Sequence, residues 1–329
     1  MKSKSRTISA FIITALLCLG LFVIAVNTGS LKATPRQLFS GLFIEYDKTV
    51  AAIYDLRFPR IFIAMLGGAA MAVSGVLLQA VMKNPLADPG IIGISSGASF
   101  TAVLIAAFYP QLFFVTPVFA FFGGGFACFL VFFLSWKGGL DPLRLILVGV
   151  AVNAMFTGLM SCFNSATGSE YTGAASIVNA NITMKTWADL KTLICYAVPG
   201  LVLALSAAKR CDLLGLEDKT VRSLGVNVNG SRLFISFAAC LLASISTAVI
   251  GPISFLGLIV PHIARLLVGS SHRILIPYTM LLGAFVFLLA DTVGRRIAYP
   301  YEISASMIMS VVGGPFFIIL LRRSVKKNG

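Results

Sequence analysis

Acidic side chains are scarce in this sequence. Its 329 residues include only 12 Asp and Glu, two His and two Trp, and charged residues make up 12% of the chain. A soluble domain carries about 25% charge and about 45–50% apolar residues, whereas here 58% are apolar and the mean hydropathy is +0.93. A single soluble core of this size could not hide so much apolar surface, so an ordinary cytosolic enzyme, a secreted disulfide scaffold and a disordered chain are excluded. No Gly-Lys pair occurs, so there is no phosphate-cradling P-loop. HExxH and CxxC are also missing, and the six cysteines (Cys18, Cys128, Cys162, Cys195, Cys211, Cys240) lie scattered, mostly in apolar runs, as small hydrophobes. The chain is expected to hold no cofactor and no metal of its own.

What is present is a series of long apolar runs. A helix needs about 20 residues to cross a bilayer. Breaks at Pro, Gly and charge give ten candidate spans at 8–27, 58–82, 91–109, 113–135, 143–164, 191–208, 232–250, 252–268, 276–294 and 304–321. The first run is too long for a cleaved signal peptide. The fold expected is an all-α polytopic membrane protein forming one transmembrane domain over 1–329. Net charge is +14, but the bases sit in short breaks between apolar runs rather than in a nucleic-acid-binding patch. With the N-terminus inside, 17 of the 26 Lys and Arg fall on the inner side, so residues 1–7, the loop 209–231 and the tail 322–329 are expected in the cytoplasm. The outer loops 28–56 and 165–190 are long, and Thr49 to Tyr54 suit a short surface helix.

Three groups of residues stand out within this frame. Ala64, Gly68, Ala72, Gly75 and Gln79 share one face of the second span, a pattern that lets helix backbones approach closely, with Gln79 needing a polar partner. Asn153, Thr157, Ser161 and Asn164 form a polar stripe on the fifth span, suited either to helix–helix hydrogen bonds or to the wall of a permeation path. In the loop Leu213–Val228, Glu217 and Asp218 precede Lys219 and Arg222, and Gly225 follows. That order suits a short helix with acids at its positive end and glycine as its stop. Leu216, Val221 and Leu224 would offer an apolar edge. Asp291 is the main buried acid, with Arg295 one turn on. His262 reads as structural and His272 as solvated. One acid is too little for a proton relay, which weakens a secondary carrier. No clustered nucleophile supports a membrane enzyme, and a receptor-like protein that retains ligand without moving it is the remaining rival.

Several strings occur in order: Arg57-Phe58-Pro59-Arg60; Gly75 to Gln79; Asn84 to Gly90; Gly93 to Ala98; Ser223-Leu224-Gly225-Val226; Gly251 to His262; and Gly314-Pro315-Phe316-Phe317. Together, over about residues 8–322, they closely resemble the FecCD family, permease subunits of bacterial ABC importers for ferric siderophores, haem and vitamin B12. The resemblance implies a vitamin B12 permease-like, type II ABC importer architecture in the cytoplasmic membrane. It implies a second permease subunit, identical or related, two cytoplasmic ATPase subunits that bind ATP and Mg, and an extracytoplasmic binding protein. It places Arg57, Arg60 and Arg295 at the outer mouth, where arginines pair with the binding protein's glutamates; interfacial snorkelling or the Asp291 pair is the structural alternative. It places Leu214, Gly215, Glu217, Ser223, Leu224, Gly225 and Val226 at the ATPase, and leaves Gln79, Asn153, Thr157, Ser161 and Asn164 as pathway candidates. A ferric siderophore is the leading cargo, then haem, then cobalamin. Asn84 and Asp88 each precede proline and read as helix caps. After Glu302 the family's Leu-Pro is replaced by Ile303-Ser304, which changes how the last helix begins.

Overall fold

The computed structural model describes residues 4–29, 33–90, 92–135, 142–167, 177, 180–298 and 301–328. Helix α1 is Lys4–Asn27, followed by α2 (Pro35–Phe43), α3 (Lys48–Leu56), α4 (Phe58–Val81), α5 (Ile94–Phe108), a 3₁₀ turn (Pro110–Val115), α6 (Thr116–Ser135) and α7 (Pro142–Thr167). Then come α8 (Trp187–Leu214), α9 (Asp218–Ser223), α10 (Val228–Ile250), α11 (Leu256–Val268), α12 (His272–Ile297) and α13 (Ala305–Asn328).

Each of the ten expected spans coincides with one of these helices. Seven are long and apolar enough to cross a bilayer, and Ile94–Phe108, Leu256–Val268 and Ala305–Leu320 are shorter apolar helices. At 1.5 Å per residue, α5 and α11 reach only about 23 and 20 Å, short of a hydrocarbon core of about 30 Å. Each is preceded by non-helical chain that can make up the remaining length, 82–90 and 92–93 before α5 and 251–255 before α11. Such backbone is tolerated at membrane depth only where protein or water satisfies it. Gly93 and Gly251 take positive φ at these breaks (89° and 80°), and Phe255 is held left-handed at 66°. The α5 turn differs from the expected helix caps. Asn84 accepts from Leu86 N at 2.9 Å and Asp88 from Gly90 N at 2.8 Å, so both side chains fold the chain into tight turns.

Helix α4 lies at the centre, with nearly every residue from Pro59 to Val81 buried. It packs against α12, α10, α8 and α11. The small-residue face works as its spacing predicts. A methyl on Gly68 would meet the Gly283 carbonyl of α12 at 2.6 Å, and one on Gly75 would sit on the Gly257 carbonyl of α11. Gly123 and Gly124 of α6 are closed in the same way by α5 and α10. Between α1 and α4 stand two short helices, α2 and α3, rather than the one that the sequence suggests. Thr34 and Gln37 form a reciprocal capping box on α2, and Asp47 caps α3 through Thr49 N at 2.7 Å. Val50 of α3 is buried against Gly41 of α2, and Ile53 is buried in the main core.

Gly75→Val forces α4 and α11 apart where no flexible side chain can yield, and is expected to destabilise the protein by about 2 kcal/mol or more. Thermal unfolding of the purified protein in detergent measures this. An unshifted midpoint would show that the approach of the two backbones is unimportant.

Candidate functional site

The residues singled out from sequence fall into three places: the end of the molecule bearing α2 and α3, the opposite end bearing α9, and the exposed face of α7.

At the first end, Arg60 is 6% exposed and Asp291 only 1%. Arg60 Nη2 and Nε both donate to Asp291 Oδ1, at 2.7 and 3.0 Å. Its Nη1 donates to Glu302 at 2.8 Å and to Thr183 at 3.3 Å, and Thr183 in turn donates to Glu302 at 2.7 Å. Arg295, 7% exposed, lies 3.1 Å from Asp291 through Nε and donates to Ala25 O at 3.2 Å. Half-buried Arg57 donates to Val26 O at 2.6 Å. Two arginines thus meet the carbonyls at the C-terminal end of α1, where the helix dipole is negative; Ala25 O also accepts from Thr28 N at 3.3 Å. Burial alone would raise the Glu302 carboxyl; Arg60 and the Thr183 hydrogen bond outweigh it and hold Glu302 below the usual range. The group lines one side of a partly open cavity of about 120 Å³, with Ile182, Ile303 and Met307 on its apolar side. In this conformation Arg60 and Arg295 face into the protein, so neither guanidinium is presented to a partner. Ser304, in place of the expected Leu-Pro, accepts from Met307 N at 3.4 Å and opens α13 as a cap.

At the opposite end, α9 is a short helix of six residues, placed where the charge order and Gly225 predict one. Asp218 and Arg222 occupy its first and last turns, and Gly225 follows with φ 76°. Gly215, Glu217, Ser223, Leu224 and Gly225 are exposed, and Val226 is half-buried. Leu214 and Val221 are completely buried, so these two anchor the segment and do not belong to its exposed edge. Leu216 and Leu224 supply that edge. The tether beneath it has no signature in the local sequence. Lys83, at the α4–α5 turn, donates to Leu216 O at 2.6 Å and Asp218 at 3.0 Å, and Arg232 of α10 donates to Asp218 at 3.1 Å. The Lys83 hydrogen bond, with Arg232 beside it, lowers the Asp218 pKa. These partners lie 135 and 14 residues away, and no local pattern announces a pair separated by 135. His272 also departs from expectation. It is largely buried and sits 2.7 Å from Asp212, tying the end of α8 to the start of α12.

Gln79 is 4% exposed. It donates to Ala87 O at 3.2 Å and Gly257 O at 3.1 Å and accepts from Arg265. It therefore braces α4, the following turn and α11, and forms no open wall. The α7 stripe is different. Thr157 and Ser161 are exposed, and Asn153 and Asn164 are half-buried. Thr157 and Ser161 donate to the carbonyls four residues back, at 2.8 and 3.0 Å. Among the described residues, no three His, Cys, Asp or Glu side chains cluster as a metal site would require.

Comparison with known proteins adds three findings. The model of the FecCD transport family matches residues 16–323. Proteins named "Probable heme-iron transport system permease protein IsdF" from Staphylococcus aureus strains Newman and Mu3 are 37% identical over 328 residues, covering all of both chains. Among solved structures, an inward-facing conformation of a metal-chelate type ABC transporter aligns with TM-score 0.79 and 29% identity over 96% of this chain and 99% of that one. PsaBC from Streptococcus pneumoniae in complex with Fab shares the fold at TM-score 0.58 and 16% identity, covering 87% of this chain and 95% of its own.

Arg60→Gln strands Asp291 in the interior without its main partner, a change that typically costs about 3–5 kcal/mol. Adding Asp291→Asn is expected to recover part of that loss, whereas Arg57→Gln, at the half-buried position, costs less. Thermal unfolding of these three variants beside the unaltered protein reads this. A double variant no more stable than Arg60→Gln would sink the internal role of the pair.

Proposed function

The chain belongs to the FecCD transport family, and from that premise we propose how this ABC importer permease, a multi-pass membrane protein for haem or iron-chelate transport, works and what it carries. ATP and Mg are bound by two partner ATPase subunits, not by this chain. A second permease subunit completes the passage, and an extracytoplasmic binding protein delivers the cargo. Both termini and α9 lie in the cytoplasm, following the excess of basic residues on that side. The whole chain 1–329 acts as one permease domain.

The observation that carries this reading is α9. An exposed apolar edge, Leu216 and Leu224, stands on a short helix braced by Asp218 to α4 through Lys83 and to α10 through Arg232. An ATPase that grips this edge would move the two most buried helices of the bundle. On the outer side, the binding protein would sit above Arg57, with Arg60 and Arg295 ordering the surface from beneath. Asn153, Thr157, Ser161 and Asn164 would face the passage between the two permease subunits, with Gln79 as a brace.

Haem is the preferred cargo. Relatives matching the whole chain at 37% identity are named for heme-iron transport, and this moves haem ahead of the ferric siderophores.

The test is reconstitution in vesicles with the genetically neighbouring ATPase and binding protein. Uptake of haem, ferric siderophores and cobalamin is followed with and without ATP. ATP-dependent haem uptake is expected, with Leu224→Asp lowering it at least tenfold while the permease still assembles in the membrane. Uptake of a siderophore alone would change the cargo. Uptake without ATP or ATPase subunits would overturn the mechanism.

A further inference from the structure

A groove of about 570 Å³ opens between the α2–α3 pair and the first turn of α8. Val50, Ala51, Tyr54, Phe58, Phe62 and Trp187 line it, with Asp55 at its edge. Trp187 forms the back wall, 4.8 Å from the Tyr54 ring and 6.2 Å from that of Phe62. The groove is flanked on both sides by exposed apolar helix surface, of the kind that lipid covers. On one side stands α1, which exposes Leu16, Leu19 and Val23 and packs Phe22 against Phe58 and Phe62 at 5.9 and 5.8 Å. On the other stands α8, which exposes Ile194, Val198, Val202 and Leu205.

A second observation concerns charge. At 100° per residue, Trp187, Lys191, Ile194 and Val198 fall within an arc of about 60°. Lys191 therefore stands on the lipid-facing stripe of α8, one turn further along the helix than Trp187, and it is exposed. It has no ion-pair partner among the described residues. Asp189, the nearest acid in sequence, faces Lys185 at 3.2 Å and accepts from Thr186 at 2.8 Å. An ammonium on such a stripe extends its stem along the apolar surface and lifts its head to the headgroup layer. The anion there is phosphate. Trp and Tyr at the same level suit the interface between chains and headgroups.

We propose that this groove is a phospholipid site, with the lipid phosphate held by Lys191 and an acyl chain lying along Phe62 and Trp187. The site requires only that the chain spans a bilayer and is independent of the cargo. The charge-derived orientation places it in the outer leaflet. The lipid would fill the space beneath α2–α3 and so support the pair from below.

Trp187 is itself the reporter. Trp136, which lies outside the described residues, is replaced by Phe, leaving one indole in this chain, and any tryptophans of the partner subunits are replaced likewise. The assembled transporter is then reconstituted in phosphatidylcholine vesicles, and phosphatidylglycerol with brominated acyl chains is titrated in. A bound lipid quenches Trp187 at a few mole per cent and saturates. Lys191→Gln is expected to raise the midpoint at least threefold, and Lys191→Arg to restore it. Ala51→Phe, which narrows the groove, is expected to lower the saturating quench without moving the phosphate dependence. Quenching that follows the bulk fraction of brominated lipid alike in all variants overturns the proposal. So does a bulk-like titration accompanied by a change in Trp187 emission when binding protein is added, because the groove would then belong to that partner.

Discussion

The approach of α4 to its neighbours governs the rest of the molecule. Between lipid-embedded helices there is no hydrophobic driving force, since lipid tails are as apolar as leucine, and packing must come from close contact. Gly68 and Gly75 allow the backbones of α12 and α11 to reach α4 directly. Once α4 is enclosed, its two ends become fixed points. One end holds Arg60; the other leads through Gln79 into the turn that carries Lys83. The polar groups that matter at both faces are therefore attached to the least deformable element.

The arginines of the α2–α3 end illustrate how burial changes a residue's task. An exposed Arg–carboxylate pair contributes little. Arg60 and Asp291 are almost completely buried, where the pair is a poor source of net stability yet losing one partner is severe. Such a pair specifies an arrangement. It fixes α4 against α12 and, through Glu302 and Thr183, holds two loops over the same cavity. Arg57 and Arg295 add a second constraint by meeting the C-terminal carbonyls of α1. Arginine suits this because one guanidinium can reach several acceptors at once.

The fold was largely legible in the sequence because lipid imposes a simple rule: each crossing is a long apolar run, and each break carries charge, Pro or Gly. All ten spans could be read this way, and the small-residue face of α4 could be read from spacing alone. The turn at Asn84–Gly90 was misjudged because Asn and Asp before proline serve helix caps and tight turns equally well. The site was less legible. Spacing placed Asp218, Arg222 and Gly225 on a short helix, but its tether to Lys83 joins residues 135 apart. His272 looked solvated for the same reason, since its partner Asp212 arrives from another helix. Local pattern reports which residues share a face, not which distant side chain arrives there.

That difference also separates the two kinds of exposed helix face. On α6, Phe122, Phe126, Phe129 and Phe133 stand outward at alternating spacings of four and three residues, an unbroken aromatic stripe that lipid covers without penalty. On α7 the outward positions include Thr157 and Ser161, flanked by Asn153 and Asn164. The two hydroxyls reduce their cost by bonding to their own helix. A carboxamide has two donors and an acceptor, and an α-helix backbone offers it little, so in hydrocarbon each asparagine would stay largely unsatisfied. The α7 face is thus a poor lipid surface, although it is no more buried than that of α6. It is better matched to protein or water, either of which can supply the hydrogen bonds that hydrocarbon cannot.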